Sequence, residues 1–476
     1  MRLDTSQHDR ATPETPDDTD GTLTVNPVFA DLFTRAGLTS PAAFVDLPGE
    51  VVSGHADRHV RRVELPVGVF YLKRQHAVGW GEKLRNLRAG FGWSSRCERE
   101  GKLLQELTDA GLPVPRWAAF GTHRGRAFLL VAEVPGGTDL RTVLSDNAPS
   151  LHRRCELAAR IGATLARVHA AGFDTPDLGA KHVLVDRQTL ALWLIDWQSA
   201  TRGPVGEQTR AGALGALHAS LAPELATRAE RLAALRSYLA EFPEAGSPFV
   251  GQVVRTAIRH AGRRSVRDQL RPGCRQLLIW VAGEAVCAVP EVAADWPTPA
   301  VASPFYGEPP GVTRITLAEH DAILIRGVQC NLIARLMNWA RRSPLRSPGV
   351  TIGRVLFHLQ RYDIPAPRLL AFGQRSASAG RVEWFALYEP AAGMPLCRWR
   401  ESATFPCRVA VGEVRECLRR LHAAGCVLTD PQTAFVIDAE GKVSVADPRT
   451  VRIVRRVSER ARRRDERAVN RLLGVE

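Results

Sequence analysis

The amino-acid sequence predicts an α+β fold that occurs in two tandem copies along a chain of 476 residues. In each half, short runs of β-branched and aromatic residues come first, and stretches with helical periodicity come later. This order is typical of a strand-rich N-terminal lobe followed by a helical C-terminal lobe. It lacks the regular strand–helix alternation of a parallel doubly wound sheet. An internal sequence repeat indicates that the pattern is duplicated.

The repeat consists of two matched segments that lie at nearly the same offset. Residues Gly111–Gly121 (GLPVPRWAAFG) recur as Asp363–Gly373 (DIPAPRLLAFG), at an offset of 252. The tetrapeptide His169–Gly172 (HAAG) recurs as His422–Gly425, at an offset of 253. Two matches at nearly one offset are hard to produce by chance, so we predict a tandem duplication.

The duplication and the composition of the chain predict three regions. Residues 1–24 are acidic and rich in Pro and Thr, and we expect a disordered acidic tail there. Residues 25–270, called the first half below, and residues 275–476, called the second half, are each expected to form one domain. The stretch Arg263–Gly273, which contains Arg, Gly and Pro, is the expected junction between them.

The elements of the first half can be predicted in chain order. The runs Val67–Leu72 and Phe128–Ala132 have the composition of strands, and Arg96–Ala110 between them has that of a helix. A second helix follows, because its apolar residues recur on one helical face: Leu157, Ile161, Leu165 and Val168. Paired short strands over His182–Val185 and Leu192–Ile195 complete the pattern. The run Ala322–Ile325 predicts a corresponding strand in the second half.

The net charge suggests a polyanionic partner. Lys and Arg total 64 against 50 Asp and Glu, which leaves +14, and only five of the 64 basic residues are lysines. Nucleic acid, an anionic membrane surface and a phosphorylated substrate all fit this surplus. We expect no nucleic-acid partner, because no helix-turn-helix, zinc-finger or aromatic-basic RNA signature accompanies the charge.

Several classes of protein are disfavoured by the sequence. The longest apolar run, near Gln276–Pro290, contains Glu284 and is too short to span a bilayer. The N-terminus shows no secretory signal pattern. Nine cysteines without a C-x-x-C pair suit a reducing compartment. We therefore expect a cytoplasmic protein, or one that is peripheral on the cytosolic face of a membrane.

Five polar residues in the first half are spaced as phosphoryl transfer requires. Lys73 ends an apolar strand, Glu100 lies in the next helix, and Asp177 follows a later helix by a short loop. His182 comes five residues after Asp177, and Asp196 closes the last strand pair. A lysine paired with a helix glutamate can clamp phosphates, one aspartate can accept the proton of the acceptor hydroxyl, and the remaining two residues can hold Mg²⁺.

Each of these residues also has an ordinary structural interpretation. An aspartate after a helix is commonly a turn residue, and a lysine at a strand end is commonly solvated. His182 could pack beneath the loop, and Glu98 competes with Glu100 for the contact with Lys73. The joint spacing favours the functional interpretation of Asp177 and Asp196. The rarity of lysine in this arginine-rich sequence favours that of Lys73, since phosphate recognition suits a point charge. We favour Glu100 over Glu98.

At these residues the chain resembles the bacterial lipopolysaccharide core kinases, the heptose and Kdo kinases of the protein-kinase-like fold. Residues Lys73–Lys83 (KRQHAVGWGEK) are similar to the K-R-H-x-G-V-G-W-x-E segment of the heptose kinases. The resemblance continues through Glu100, Gly111–Pro115 and Ala166–His169 to the loop that carries Asp177 and His182. It covers about residues 50–240 well and the second half more loosely.

The resemblance implies an activity and a set of ligands. A member of this family would use ATP and Mg²⁺ to phosphorylate a sugar hydroxyl of the lipid A-linked core oligosaccharide of lipopolysaccharide, at the cytosolic face of the inner membrane. His182 would stand where protein kinases place a metal-binding Asn, with Asp196 as the second magnesium ligand. The backbone of Ala132, Glu133 and Val134 would bind adenine. Other enzymes of core assembly are possible partners.

Two departures from the family pattern keep other functions open. Thr175 and Pro176 stand where His-Arg usually precedes the catalytic aspartate, and Ser53–His55 is the only candidate for a glycine-rich loop. A catalytically inactive tandem pseudokinase scaffold is one alternative. A small-molecule phosphotransferase of the aminoglycoside or choline type is another, although the basic composition argues against cationic acceptors.

The second half has lost most of this pattern and is predicted to be a degenerate, pseudokinase copy. The sequence alignment puts Arg326 at the position of Lys73, Ile352 at that of Glu100 and Phe435 at that of His182. Asp430 and Asp447 persist and are more easily explained as structural remnants. The arginine-rich run Arg449–Arg471 is either a solvated helix face or a basic helix that meets anionic lipid or phosphate.

Overall fold

The protein is a mixed α/β molecule built on several antiparallel sheets. The computed structural model describes residues 21–55, 58–76, 78–146, 150–261, 278–280, 286–294, 305–306, 310–317, 320–330, 347–376, 381–399, 407–454 and 456–474. The predicted junction Arg263–Gly273 and residues 1–20 of the predicted tail lie outside the described residues. Among the helices in the described ranges, none is both long enough and apolar enough to cross a lipid bilayer.

A six-stranded antiparallel sheet forms the N-terminal part of the first half. Its strands lie in the order β1-β5-β6-β4-β3-β2. In chain order the strands and the helices among them are β1 Gly21–Val25, α1 Pro27–Arg35, α2 Pro41–Val45, β2 Glu50–His55, β3 Arg58–Leu65, β4 Gly68–Gln75, α3 Trp80–Arg88, α4 Arg96–Asp109, β5 Trp117–His123 and β6 Arg126–Ala132.

The two faces of this sheet are covered by different helices, because side chains alternate along each strand. Leu72 of β4 and Phe128 of β6 pack with Phe33 of α1 and Phe44 of α2 in one apolar core. The neighbouring residue Leu129 faces the other way, into the core that α4 covers. The alternation therefore turns Lys73, which follows Leu72, toward α4.

The predicted disordered tail ends earlier than expected. Residues 21–24 were assigned to the tail, but they belong to β1, which pairs antiparallel with β5 from Gly21 opposite His123 to Val25 opposite Ala119. The segment Gly21–Val25 has a strand-like sequence (GTLTV) that the acidic composition before it obscured. Backbone pairing to β5 accounts for its order.

Small sheets and helices form the C-terminal part of the first half. The strands β7, β8 and β9 form a three-stranded sheet, α6 packs on α8, and α7 packs on α9. The predicted strand over His182–Val185 begins one residue later, since His182 closes a 3-10 turn. The elements are β7 Gly137–Asp139, α5 Leu140–Ser145, α6 Leu151–Ala170, β8 Val183–Asp186, β9 Leu192–Leu194, α7 Glu207–Ala219, α8 Arg228–Leu239 and α9 Ser247–Ala261.

The second half contains another six-stranded antiparallel sheet, in the order β10-β11-β14-β15-β13-β12, and two smaller sheets. Its elements are β10 Ile279–Trp280, β11 Val286–Ala288, α10 Pro290–Ala294, β12 Gly311–Leu317, β13 His320–Cys330, α11 Pro348–Arg361, β14 Leu369–Ser376, β15 Arg381–Tyr388, β16 Met394–Pro395, α12 Leu396–Trp399, α13 Cys407–Ala423, β17 Cys426–Leu428, β18 Phe435–Ile437, β19 Val443–Val445, β20 Val451–Ile453 and α14 Glu459–Leu473.

The two large sheets share local details. The pairing of β5 with β6 shifts register between Trp117 and Ala119, and that of β14 with β15 shifts between Leu369 and Ala371. In α4, Gly101 lies against the ring of Phe120, so that a Cβ there would come within 2.2 Å of the ring. Gly353 of α11 lies against Phe372 in the same way, also at 2.2 Å. Each glycine lets its helix approach the sheet closely.

Candidate active site

A single cavity of about 1550 Å³ contains most of the polar residues that the sequence singled out. Its wall includes Lys73 of β4, Glu100 of α4, and His182 and Asp196, which flank β8 and β9. The residues after β6 contribute the opposite wall. The cavity therefore lies between the large sheet of the first half and the small sheet that follows it.

Lys73 and Glu100 form a close ion pair at the base of the cavity. Lys73 Nζ donates to Glu100 Oε1 at 2.5 Å and lies 4.0 Å from Asp196 Oδ1. Burial opposes the charged form of Lys73, but the carboxylates of Glu100 and Asp196 outweigh burial and raise the Lys73 pKa above its usual value. Glu98 is occupied elsewhere, because its side chain closes a capping box with Ser95 at the start of α4.

Asp196 is held in an uncommon backbone conformation. Its φ of 69° lies in the left-handed region, where a residue with a Cβ costs of order 1–3 kcal/mol. Burial alone would raise its pKa, but the nearby charge of Lys73 outweighs burial and lowers the pKa to about 2. The carboxylate is therefore ionised, and it faces the cavity beside the cation of Lys73.

His182 is oriented by both of its ring nitrogens. Nδ1 lies 3.0 Å from the backbone oxygen of Asp177, and Nε2 lies 3.3 Å from Asp196 Oδ2. A carbonyl oxygen only accepts, so Nδ1 carries the proton and donates to it. Burial, reinforced by the nearby charge of Lys181, lowers the pKa of His182 to about 4. In the neutral ring, Nε2 then presents a lone pair to a carboxylate oxygen.

That arrangement suits a cation between His182 and Asp196. Two lone pairs 3.3 Å apart repel each other unless a positive charge lies between them. Adjacent ligands of an octahedral Mg²⁺, each at roughly 2.1 Å, would be about 3 Å apart. Within the described part of the chain, no group of three His, Cys, Asp or Glu residues is arranged to hold a metal. The pair thus fits an ion that takes its remaining ligands from water and substrate phosphate.

Asp177 lies apart from the cavity wall. It is exposed, in the loop between α6 and the 3-10 turn Ala180–His182, and it is not among the residues that line the cavity. Its backbone oxygen nevertheless accepts from His182, so its loop is tied to the site. The preceding Thr175 is buried, and its hydroxyl lies 3.4 Å from Nε2 of His169 in α6. This contact supports the loop where the family would have His-Arg.

The segment after β6 offers a free backbone donor. Ala132 N–H donates to Arg116 O and Glu133 N–H to Val69 O, both at 2.9 Å. No acceptor for the Val134 N–H exists among the described residues, and Val134 lines the cavity with its two predecessors. The three residues predicted to contact adenine therefore lie on the cavity wall, with one donor available. Ser53, of the weak glycine-loop candidate, also lines the cavity.

Two contacts of the site were not found from the sequence. The backbone N–H of Trp197 donates to Glu100 Oε1 at 3.1 Å, which gives the buried carboxylate a second partner. Arg58 of β3 donates to the side chain of Gln198, across 140 positions in the chain. Trp197 is adjacent to Asp196 and could have been suspected on that ground. No sequence signal connects Arg58 to Gln198.

Strand register in the second half corrects the alignment of the two halves. Lys73 pairs with Leu129, which pairs with Phe120. In the matched sequence segments, Phe372 corresponds to Phe120. Phe372 pairs with Ala386, which in turn pairs with Ile325. Ile325, rather than the predicted Arg326, therefore occupies the Lys73 position. Ile325 and Ile352 lie in one apolar core, so an apolar pair replaces the ion pair.

The metal-site comparison is corrected in the same way. Ile195 and Ala446 correspond, because each directly precedes the aligned aspartate, Asp196 or Asp447. Ile195 N–H donates to His182 O, and Ala446 N–H donates to Ala434 O. Ala434, rather than the predicted Phe435, stands at the His182 position, and it has no metal-binding group. Asp447 accepts hydrogen bonds from the backbone and guanidinium of Arg449. The side chain of Asp430 is bonded to Gln432 N–H and the Thr433 hydroxyl.

The second half also contributes to the cavity of the first half. Two residues of α11 and two of β14 line it: Val350, Arg354, Phe372 and Gln374. The edge strands β2 and β10 of the two large sheets are in contact at this side of the molecule. Residues of both halves of the chain thus line the cavity.

Comparison with known proteins confirms the resemblance for the first half. Residues 46–238 match the family model described as the lipopolysaccharide kinase (Kdo/WaaP) family. A 3-deoxy-D-manno-octulosonic acid kinase of Vibrio vulnificus (strain CMCP6) is 34% identical over 141 residues, which are 28% of this chain and 58% of the relative. The corresponding kinase of Vibrio cholerae is 31% identical over 142 residues, which are 29% of this chain and 58% of the relative.

A third relative is also similar over only part of its length. The 3-deoxy-D-manno-octulosonic acid kinase of Xylella fastidiosa (strain M23) is 34% identical over 110 residues, 22% of this chain and 42% of the relative. The chain therefore spans between 42% and 58% of the length of these three relatives. The likeness concerns the part of the chain that contains the cavity.

Proposed function

We propose that the first half is an ATP-dependent kinase that phosphorylates a heptose- or Kdo-type sugar of the lipopolysaccharide inner core at the cytosolic face of the inner membrane. One observation carries the proposal. The Lys73–Glu100 ion pair and the His182–Asp196 pair face a single cavity, opposite a wall with a free backbone donor at Val134. The similarity of residues 46–238 to lipopolysaccharide kinases supports this interpretation.

In this proposal the residues position and neutralise charge rather than form covalent bonds. Lys73 presents its ammonium group to the α- and β-phosphates of ATP, and Glu100 holds that group in place. The Val134 N–H donates to the adenine. Asp177 accepts the proton of the sugar hydroxyl as the hydroxyl oxygen attacks the γ-phosphorus and ADP leaves. Because Asp177 lies on a loop outside the cavity wall, the bound sugar acceptor must extend from the cavity to this loop for its hydroxyl to reach the Asp177 carboxylate.

His182 and Asp196 are the residues that would hold Mg²⁺. The lone pair of His182 and the ionised carboxylate of Asp196 face each other at a spacing that fits two adjacent metal ligands. When bound, the ion would neutralise phosphate charge during transfer. His182 keeps its orientation through the bond from Nδ1 to Asp177 O. The same bond couples the metal site to the loop of the proposed base.

We further propose that the two halves are tandem protein-kinase-like domains and that the second is a degenerate copy. The matching register shifts and the matching glycine–phenylalanine contacts of α4 and α11 support the duplication. The apolar pair Ile325 and Ile352 leaves no group to clamp phosphate, and Ala434 leaves none to bind metal. The second half then serves as a wall of the first half's site.

A second candidate function is a tandem pseudokinase scaffold that organises other enzymes of core assembly. The exposed position of Asp177 and the replacement of His-Arg by Thr175 and Pro176 favour it. Thermal unfolding with and without Mg-ATP separates the two functions. A nucleotide that binds only the folded state raises the melting temperature. The kinase proposal predicts such a rise, and a scaffold without a nucleotide site predicts none.

The Asp177→Ala variant tests the assignment of the base. Full-length protein, Mg-ATP and deacylated core oligosaccharide are incubated, and phosphorylated sugar is quantified by mass spectrometry. We expect the variant to lose at least about a hundredfold in rate, because a positioned base contributes that much. Asp109→Ala, at the exposed end of α4, serves as the control. Undiminished transfer by Asp177→Ala would refute the role of Asp177.

A further inference from the structure

Helix α3 has its polar and apolar faces reversed relative to an ordinary surface helix. Trp80, Leu84 and Leu87 are 43%, 40% and 48% exposed, and they recur at helical spacing on one side of α3. The helix buries Glu82 and Asn86 instead. A helix at a protein surface normally turns its apolar stripe toward the core. In α3 that stripe faces outward.

The buried polar residues explain why the helix cannot turn over. Glu82 accepts from Gln75 Nε2 at 2.9 Å and from the backbone N–H of Arg96 at 2.8 Å, and so ties α3 to β4 and α4. Asn86 donates to Ser94 O at 2.8 Å and accepts from Arg99. Rotating α3 to bury its leucines would leave these buried groups without partners, which is costly. The outward apolar face is therefore built into the fold.

The loop after α3 enlarges this apolar face. Trp93 is 46% exposed, and its ring packs edge-on against that of Trp80 with the centroids 5.4 Å apart. We call Trp80, Leu84, Leu87 and Trp93 the α3 patch. A single large apolar residue at a protein surface is common and needs no explanation. Four such residues on one short segment indicate an interaction surface.

The charges in the chain segment that carries the α3 patch are almost all positive. Between residues 80 and 96 the only carboxylate is Glu82, which is buried and paired with Arg96 at 3.3 Å. Arg85, Arg88 and Arg96 are exposed beside the patch. Helices that lie in the interface of an anionic bilayer typically combine tryptophan and leucine on one face with neighbouring arginines.

We propose that the α3 patch docks the protein on an anionic phospholipid bilayer. Trp80, Leu84 and Leu87 enter the boundary between headgroups and acyl chains, while Arg85 and Arg88 meet lipid phosphates. Trp80, Leu84 and Trp93 also line the cavity, so docking places the cavity mouth at the membrane. The delivery of a lipid-linked sugar into the cavity rests on the proposed function, whereas the docking itself does not.

Vesicle binding tests the docking. Full-length protein is sedimented with phosphatidylcholine vesicles and with vesicles that also contain phosphatidylglycerol, without nucleotide. We expect binding to the anionic vesicles and quenching of tryptophan fluorescence by brominated lipid. The double variant Leu84→Gln/Leu87→Gln should bind at least about tenfold more weakly, because each leucine contributes apolar burial and Gln preserves helix propensity. Arg85→Gln/Arg88→Gln should lose the preference for anionic lipid.

A matched control is available elsewhere on the first half. Leu232 of α8 and Ile258 of α9 are also exposed, at 44% and 70%, and Leu232→Gln/Ile258→Gln should bind vesicles like the unaltered chain. Equal binding by the α3 variant and the control would overturn the proposal. Self-association or capture of a protein partner through the patch, without vesicle binding, would overturn it too. Intact vesicle binding with no sugar phosphorylation would refute the proposed function alone.

Discussion

At the scale of single residues, the site is a set of charges that compensate one another. Lys73 is stabilised in its charged form by Glu100 and Asp196, and Glu100 takes a second hydrogen bond from Trp197 N–H. Asp196 stays ionised because the charge of Lys73 offsets the cost of its burial. Removing one member of such a group leaves a buried charge without its partner.

The second half has apolar residues at the two positions that correspond to the ion pair. Ile325 and Ile352 occupy the two positions and pack in a common apolar core. Replacing a buried ion pair by apolar residues of similar volume is often neutral or stabilising, whereas removing one partner is costly. Under the proposed function, we therefore expect the ion pair of the first half to serve ATP binding rather than stability.

The comparison between the halves predicts the behaviour of two variants. Lys73→Ile should lower the free energy of unfolding by about 3 kcal/mol, because Glu100 is left buried without its cation. The double variant Lys73→Ile/Glu100→Ile should regain most of that loss, yet neither variant should bind Mg-ATP. Urea unfolding and calorimetric titration measure the two effects. Equal stability of the single and double variants, or retained ATP binding, would contradict this account.

At the scale of elements, α4 positions Glu100 through its close approach to the sheet. Gly101 makes this approach possible, because it packs directly on the ring of Phe120. The capping box of Ser95 and Glu98 fixes the start of the helix. Glu82 accepts the N–H of Arg96 and so links the first turn of α4 to α3.

Gly101→Ala tests this packing. The new Cβ would come within 2.2 Å of Phe120, so the helix or the ring must move. We expect a loss of about 1–3 kcal/mol in stability and a weaker Lys73–Glu100 contact, with lower activity. Gly212→Ala in α7 is the control, since nothing lies within 4 Å of its added Cβ. If both variants were equally stable and active, the close approach would not matter.

Much of the element order could be predicted from the sequence, because hydrophobic periodicity is local. The helices over Arg96–Asp109 and Leu151–Ala170 and the strands β4 and β6 lie where their patterns indicate. The sequence could not decide whether Glu98 or Glu100 contacts Lys73, since both lie in the first turns of α4. The capping box that occupies Glu98 was visible as Ser95 three residues before it.

Strand register could not be predicted, and this produced the two errors in aligning the halves. Both matched segments lie outside β13 and β18, so they do not determine which residue of those strands faces the site. A slip of one residue exchanges the two faces of a strand. Cross-strand hydrogen bonds set the register, and they place Ile325 and Ala434 at the positions assigned to Arg326 and Phe435.

At the scale of the whole molecule, the second half contributes to the lining of the first half's cavity. Arg354 of α11 and Gln374 of β14 line the cavity together with the groups of the first half. Although it has no lysine–glutamate pair at the corresponding positions, the second half adds the guanidinium of Arg354 to the wall. Arg354 thereby adds positive charge to the cavity wall that an anionic acceptor would meet, in keeping with the positive net charge of the chain.

Arg354→Ala tests the contribution of the second half. We expect the KM for the anionic sugar acceptor to rise several-fold, by about 1 kcal/mol of lost interaction, with little change in melting temperature. Arg361→Ala, at the exposed C-terminal end of the same helix, should leave the KM unchanged. Identical kinetic constants for the two variants would show that Arg354 does not meet the substrate.

The central claim, that the cavity of the first half transfers phosphate, is tested most directly by the Asp196→Asn variant. Full-length protein is incubated with Mg-ATP labelled at the γ-phosphate and with deacylated core oligosaccharide, and label in the sugar is counted. The unaltered chain should transfer label in a magnesium-dependent way. Asp196→Asn, with its fold verified by circular dichroism, should transfer at least about a hundredfold less. Equal transfer by both proteins, or none by the unaltered chain, would contradict the account.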